Sequence, residues 1–218
     1  MIKEIEGRLK HYKTDMLDIW RPVGATWDED KTKTTQKSIP TMLMVSHRTL
    51  DMVVEVFQKV HRQGKVRWLG ISAHNPKVFR RVLNEYPQFS IILFPHLFLT
   101  KPFGGDSLLA LAKQKDVGVI GIKPFGAGTV FNIKPREITG KIDKKAASLL
   151  KKILQEKRLS AVLPGVTIPE QLEVNVEASY GRHKPLDAED QEALHRCTEN
   201  FYANLTPEYK WLHNWEVV

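Results

Sequence analysis

Cysteine is almost missing from this 218-residue chain, with Cys197 the only one. A single thiol builds neither a disulfide framework nor a cysteine-based metal site, and it suits a reducing compartment. Long apolar runs are missing too, so no segment reads as a helix spanning a bilayer. The opening MIKEIEGRLKHYK is amphipathic and charged and lacks the apolar heart of a signal peptide, which points to the cytoplasm. No histidines stand at HxxxH spacing, which sets a metal site aside. The glycines fit neither GxGxxG nor GxxxxGK. No Asn-Gly turn joins apolar runs, which argues against a β-sandwich.

Acid is scarcer than base: 33 Lys and Arg against 25 Asp and Glu give a formal charge of +8. The excess is scattered and mixed with acids except at 144–158. There Ala146, Ala147, Leu149, Leu150, Ile153 and Leu154 make an inner stripe. The lysines beside it read as the solvated face of a buried helix, not as a nucleic-acid surface.

What is present is an alternation of helix and strand. In 55–70, EVFQKVHRQGKVRWLG, an amphipathic helix ends on Gly64 and a strand follows at 66–71. Asn75 and Pro76 then read as the cap and first turn of another helix, with Val78, Phe79, Val82 and Leu83 inward. The apolar run 90–94 reads as a strand buried on both faces. Asp106 reads as a helix cap, 117–122 as a buried strand and 143–157 as a helix. A short strand follows at 161–163. Pro169 opens a helix with Leu172 and Val176 inward, and Asp187 caps a last one that buries Ala193, Leu194, Cys197 and Phe201. At the front, 2–12 reads as a helix and 16–20 as a strand, while 27–38 is polar and reads as a surface loop. The aromatic tail 205–218, with Tyr209, Trp211 and Trp215, is expected to dock on the body. Five strands alternating with helices imply one α/β domain with a parallel sheet or barrel, its ligands at the carboxyl ends of the strands.

These segments resemble the aldo-keto reductases, (β/α)8 barrels that reduce carbonyls with NADPH. Residues 9–20, LKHYKTDMLDIW, are similar to that family's entry into its fourth strand and 64–72, GKVRWLGIS, to its fifth. VGVIGIKPFGAG at 117–128 is similar to the seventh, and Leu163-Pro164-Gly165 through Asn175 to the eighth. The resemblance implies an incomplete (β/α)8-type parallel barrel, partly open, with no counterpart here of the first three strands. Those strands carry the family's catalytic Asp, Tyr and Lys. Its histidine falls by ungapped alignment on Val23, so none of the four is assigned.

For the cofactor, NADP or NAD, the resemblance implies Ser72 at the nicotinamide carboxamide and Lys123 at the pyrophosphate. It puts Gln171 where a basic 2′-phosphate residue often stands, and Asn175 at the adenine. Ala73, Leu93 and Ile122 depart from the family's usual contacts, and no charge favours NADPH over NADH. An iron–sulfur cluster, carried by some relatives, is ruled out by the cysteine count.

By their chemistry alone, Gly126-Ala127-Gly128 is either a phosphate cradle or a plain turn, and Asn75 is first of all a helix cap. Arg21 reads as a rim residue able to hold an anion. His74 and His96 follow strands, where a histidine suits proton transfer; with a water held by Arg21 they are the candidates for an acid should the chain turn over. Three readings of function stand. One is NAD(P)-linked reduction of a small carbonyl or sugar. Another is a non-catalytic relative serving as nucleotide-binding or assembly partner. The last is an α/β domain for another ligand. An open barrel exposes two parallel edges, 16–20 and 161–163, which invites homo-oligomers.

Overall fold

The computed structural model describes residues 1–22, 25–27, 43–73, 75–99, 108–131, 145–205 and 207. Strands β1 (Leu17–Trp20), β4 (Val66–Ser72), β5 (Phe89–Pro95), β6 (Gly118–Ile122) and β7 (Ala161–Leu163) follow the sheet order β1-β4-β5-β6-β7. Two further strands, β2 (Ala25–Trp27) and β3 (Leu43–Val45), pair with each other in parallel. The reading of five strands thus holds for the main sheet and misses this extra pair, which flanks a polar stretch without periodicity; Trp27, expected in the surface loop, is the last residue of β2. The helices are α1 (Ile2–Tyr12), α2 (His47–Arg62), α3 (Pro76–Glu85), α4 (Leu108–Gln114), α5 (Lys145–Leu154), α6 (Pro169–Tyr180) and α7 (Ala188–Asn204). The fold is an α/β parallel sheet with the element succession of an incomplete (β/α)8 barrel.

The chain divides into two compact units, Met1–Leu93 with Leu108–Gly118, and Phe94–Ser107 with Val119–Val218. In the first, β4 pairs with β1 on one side and β5 on the other. Trp20, Leu69 and Ile71 are buried with Ile5 and Leu9 of α1 and Leu50, Val53, Phe57 and Val60 of α2. The opposite face of β1 and β4 stays open, with Ile19 40% and Trp68 49% exposed. Gly70 lies between them because a Cβ there would meet Ile19 Cγ2 at 3.3 Å and Ile91 O at 3.4 Å. Local signals fix the helix starts: Ser46 Oγ accepts from Thr49 N, and Asn75 Oδ1 accepts from Lys77 N, with Pro76 opening α3 as expected. Gly64, at φ +71°, ends α2.

The second unit packs Leu97, Phe98, Val130, Leu149, Ile153, Cys197 and Phe201 into one core. Asp187 and Asp190 cap α7 reciprocally, each side chain accepting from the other's backbone N–H. Two inward assignments are corrected here. Leu172 and Val176 on α6 are 53% and 43% exposed, and Ala178 is the residue of that helix that is buried. The helix packs against α5 on the side that buries Ala178, and its apolar row lies outside that contact. Lys151 is no solvated lysine: it forms an ion pair with the buried Asp190, binding α5 to α7. The cap at Asp106, the loop beyond Trp27 and, Leu205 and Pro207 apart, the tail lie outside the described residues.

Candidate functional site

At the carboxyl end of β1 in the first unit, the register pairs Ile19 with Trp68 and Trp20 with Leu69. One residue further on, Arg21 lies on the open face, alongside Gly70 and diagonal to Ser72. Its Nη1 donates to Ser72 Oγ at 2.8 Å. The guanidinium is exposed, Ser72 is half-buried, and Arg21 has no other hydrogen bond among the described residues. The bond has a directional consequence. Because the arginine fills a lone pair of Oγ, the hydroxyl proton of Ser72 is left to donate elsewhere. A hollow of about 350 Å³ in this unit is lined by Lys10, Lys13, Thr14, Asp15 and Lys65 among others. It opens at the amino end of β4, away from Ser72.

In the second unit Lys123 directly follows β6 with a left-handed backbone, φ 55°. Burial lowers the pKa of its ammonium. Its carbonyl accepts from Gly126 N at 3.0 Å, and Phe125 O accepts from Gly128 N at 2.8 Å. Gly126, Ala127 and Gly128 all have positive φ. Thr129 Oγ1 closes the turn by donating to Gly126 O at 2.6 Å. A Cβ on Gly126 would sit 2.9 Å from that hydroxyl and 3.1 Å from the Phe201 ring. The N–H groups of Gly126 and Gly128 are therefore spent inside the turn.

Gln171 Oε1, in the first turn of α6, accepts from Thr167 N at 2.8 Å and Thr167 Oγ1 at 3.1 Å, fastening the loop after β7. One turn on, Asn175 Nδ2 is a buried donor without a partner among the described residues. His96 is 4% exposed. Its Nδ1 is buried and unpartnered among the described residues, and it lines a cavity of about 140 Å³ with Lys152, Gln155 and Glu156 near the end of α5. Burial lowers its pKa to about 4, with Glu156 opposing and Arg158 assisting. Glu156 is held down to about 2, chiefly by the Arg158 side chain that it binds through both oxygens.

Arg21 and Ser72 are thus brought together, as are Lys123 and Gly126, and Gln171 lies on α6 one turn before Asn175. His96 stands apart beneath α5. His74 and Val23 lie outside the described residues. The Arg21–Ser72 bond went unread in the sequence because it joins residues 51 positions apart. The alternation of β1 and β4 placed both on one face, and only the register brings them within reach.

The model of the aldo/keto reductase family matches residues 1–152. An uncharacterised oxidoreductase of Bacillus subtilis strain 168, YqkF, is 22% identical over 226 residues, covering 91% of this chain and 66% of that protein. The chain thus spans just under two thirds of that relative's length. Among solved structures, a thermostable aldo-keto reductase, Tm1743, bound to the inhibitor epalrestat has a TM-score of 0.54 at 16% identity over 90% of this chain and 65% of that one. An aldo/keto reductase from Brucella melitensis scores 0.55 at 16% identity, with 90% and 66% covered. An aldose reductase from Giardia lamblia scores 0.53 at 12%, with 91% and 67% covered. At such identities the likeness to these three is one of fold.

Proposed function

This chain belongs to the aldo/keto reductase family, and from that we propose that it binds a nicotinamide dinucleotide, NADP or NAD, for the reduction of a small carbonyl compound. The observation that carries the reading is the 2.8 Å bond from Arg21 to Ser72. It turns the Ser72 hydroxyl into an aimed donor, which is what a carboxamide oxygen requires. Asn175, with its unpartnered buried amide, suits a nucleobase edge. Lys123, a half-buried cation after a parallel strand, suits a phosphate. Gly126 supports such a contact through the shape of its turn, since its own N–H is occupied.

When bound, the dinucleotide supplies a hydride for the carbonyl carbon; the carbonyl oxygen needs a proton from elsewhere. The family's tyrosine has no counterpart in this sequence, and His96 is neutral and buried. Turnover by this chain alone is therefore not expected, and dinucleotide binding is the activity to test. In a fluorescence titration of the full chain, NADPH or NADH is expected to bind below millimolar concentration. Ser72→Ala is expected to weaken it by about 1 kcal/mol, or five- to tenfold. Failure of both nucleotides at millimolar concentration rejects the reading. A second reading, a binding or assembly partner without turnover, is favoured by the two end strands, which carry the exposed Ile19 and Leu163.

A further inference from the structure

We propose that Arg21 is a carboxylate clamp, and that the carbonyl compounds this chain accepts are oxo acids with an apolar body. The inference rests on the reading of Ser72 as the carboxamide contact. A guanidinium has five N–H donors in a planar fork, and Arg21 gives one of them to Ser72. Its remaining donors have no partner among the described residues, and the side chain is exposed. The Ser72 bond restrains the fork, so a ligand finds it already oriented. A fixed planar fork matches the two coplanar oxygens of a carboxylate better than it matches a neutral carbonyl.

The surroundings select further. Ile19 and Trp68, 40% and 49% exposed, occupy the same face as Arg21 and Ser72. They are suited to the carbon skeleton of a ligand whose charged end is on the arginine. Asp18, the nearest acid in the chain, is already paired with Arg67 at 3.1 Å. No acid among the described residues neutralises Arg21. The arginine is a specificity-determining residue here and donates no proton.

The test uses the full chain saturated with whichever of NADPH or NADH binds, titrated calorimetrically with benzoylformate and with methyl benzoylformate. The two share carbonyl and ring and differ in the charge. The acid is expected to bind at least tenfold tighter than the ester. Arg21→Gln is expected to erase that advantage, and Arg21→Lys to keep two- to threefold of it, since a point charge lacks the fork. Acid and ester binding alike, neither binding, or an advantage that survives Arg21→Gln overturns the clamp and leaves the dinucleotide reading in place. Failure of both dinucleotides to bind rejects the reading beneath and the clamp with it.

Discussion

His96 sets how the second unit responds to acid. In an unfolded chain its pKa is near 6.5, whereas burial holds the folded form near 4. Between those values the unfolded state takes up a proton that the folded state refuses. Stability is therefore complete above pH 6.5 and falls as the pH drops toward 4, by about 3 kcal/mol at the foot of the window. Glu156, held low by Arg158, weakens the fold only below its ordinary 4.5, so the decline from 6.5 to 4.5 belongs to the histidine. Urea midpoints measured across that range are expected to fall in the native chain and to stay nearly level in His96→Leu. Residues of this kind divide by how far their causes reach. The caps Asn75 and Asp187 were legible in the sequence because a cap and its N–H lie within three positions. His96 was read as a histidine at a strand's end, but its burial depends on α5, some 55 positions away.

Between elements of the second unit, an ion pair joins Lys151 on α5 to the buried Asp190 on α7. Asp190 is buried, which raises its pKa, but the bonds from Lys151, Ser148 and the Asp187 backbone outweigh burial and leave its carboxyl below the usual range. Replacing one member strands a charge in a poorly hydrated place. Asp190→Asn is expected to lower unfolding stability by about 3 kcal/mol in a denaturant titration. A paired Lys151→Met, Asp190→Leu variant is expected to recover much of that loss, because no charge is left unpaired. Local pattern carried most helices and the five sheet strands: period 3.6 marked α2 and α3, and continuous apolar runs marked β5 and β6. It failed on α6, whose apolar row is spaced for burial and lies exposed. Spacing reports which residues share a face, and only topology decides whether anything packs against it.

At the scale of the whole chain, the sheet order leaves β1 and β7 as end strands. Each presents one row of backbone groups without a sheet partner among the described residues, with Ile19 and Leu163 exposed on them. Such edges join others of their kind unless covered. Light scattering on a size-exclusion column is expected to give a mass well above the 25.0 kDa of one chain at micromolar concentration. A Lys substitution at Leu163 is expected to shift the population toward monomer; a compact, stable monomer in the native chain counts against edge association. The order of strands and the edge positions were legible because the segments resemble a known succession. The β2–β3 pair has no place in that succession and was missed.

The family match ends at residue 152, yet a wall of the turn after β6 comes from further along the chain. Phe201 of α7 lies against Gly126, and Asn200 Nδ2 donates to Val130 O at 3.2 Å. Trimming this protein to its recognisable portion would remove the Asp190 anchor and the aromatic plug together. The seventh helix is thus a buttress for a segment the family boundary would treat as self-sufficient, and expression designs should extend through residue 204.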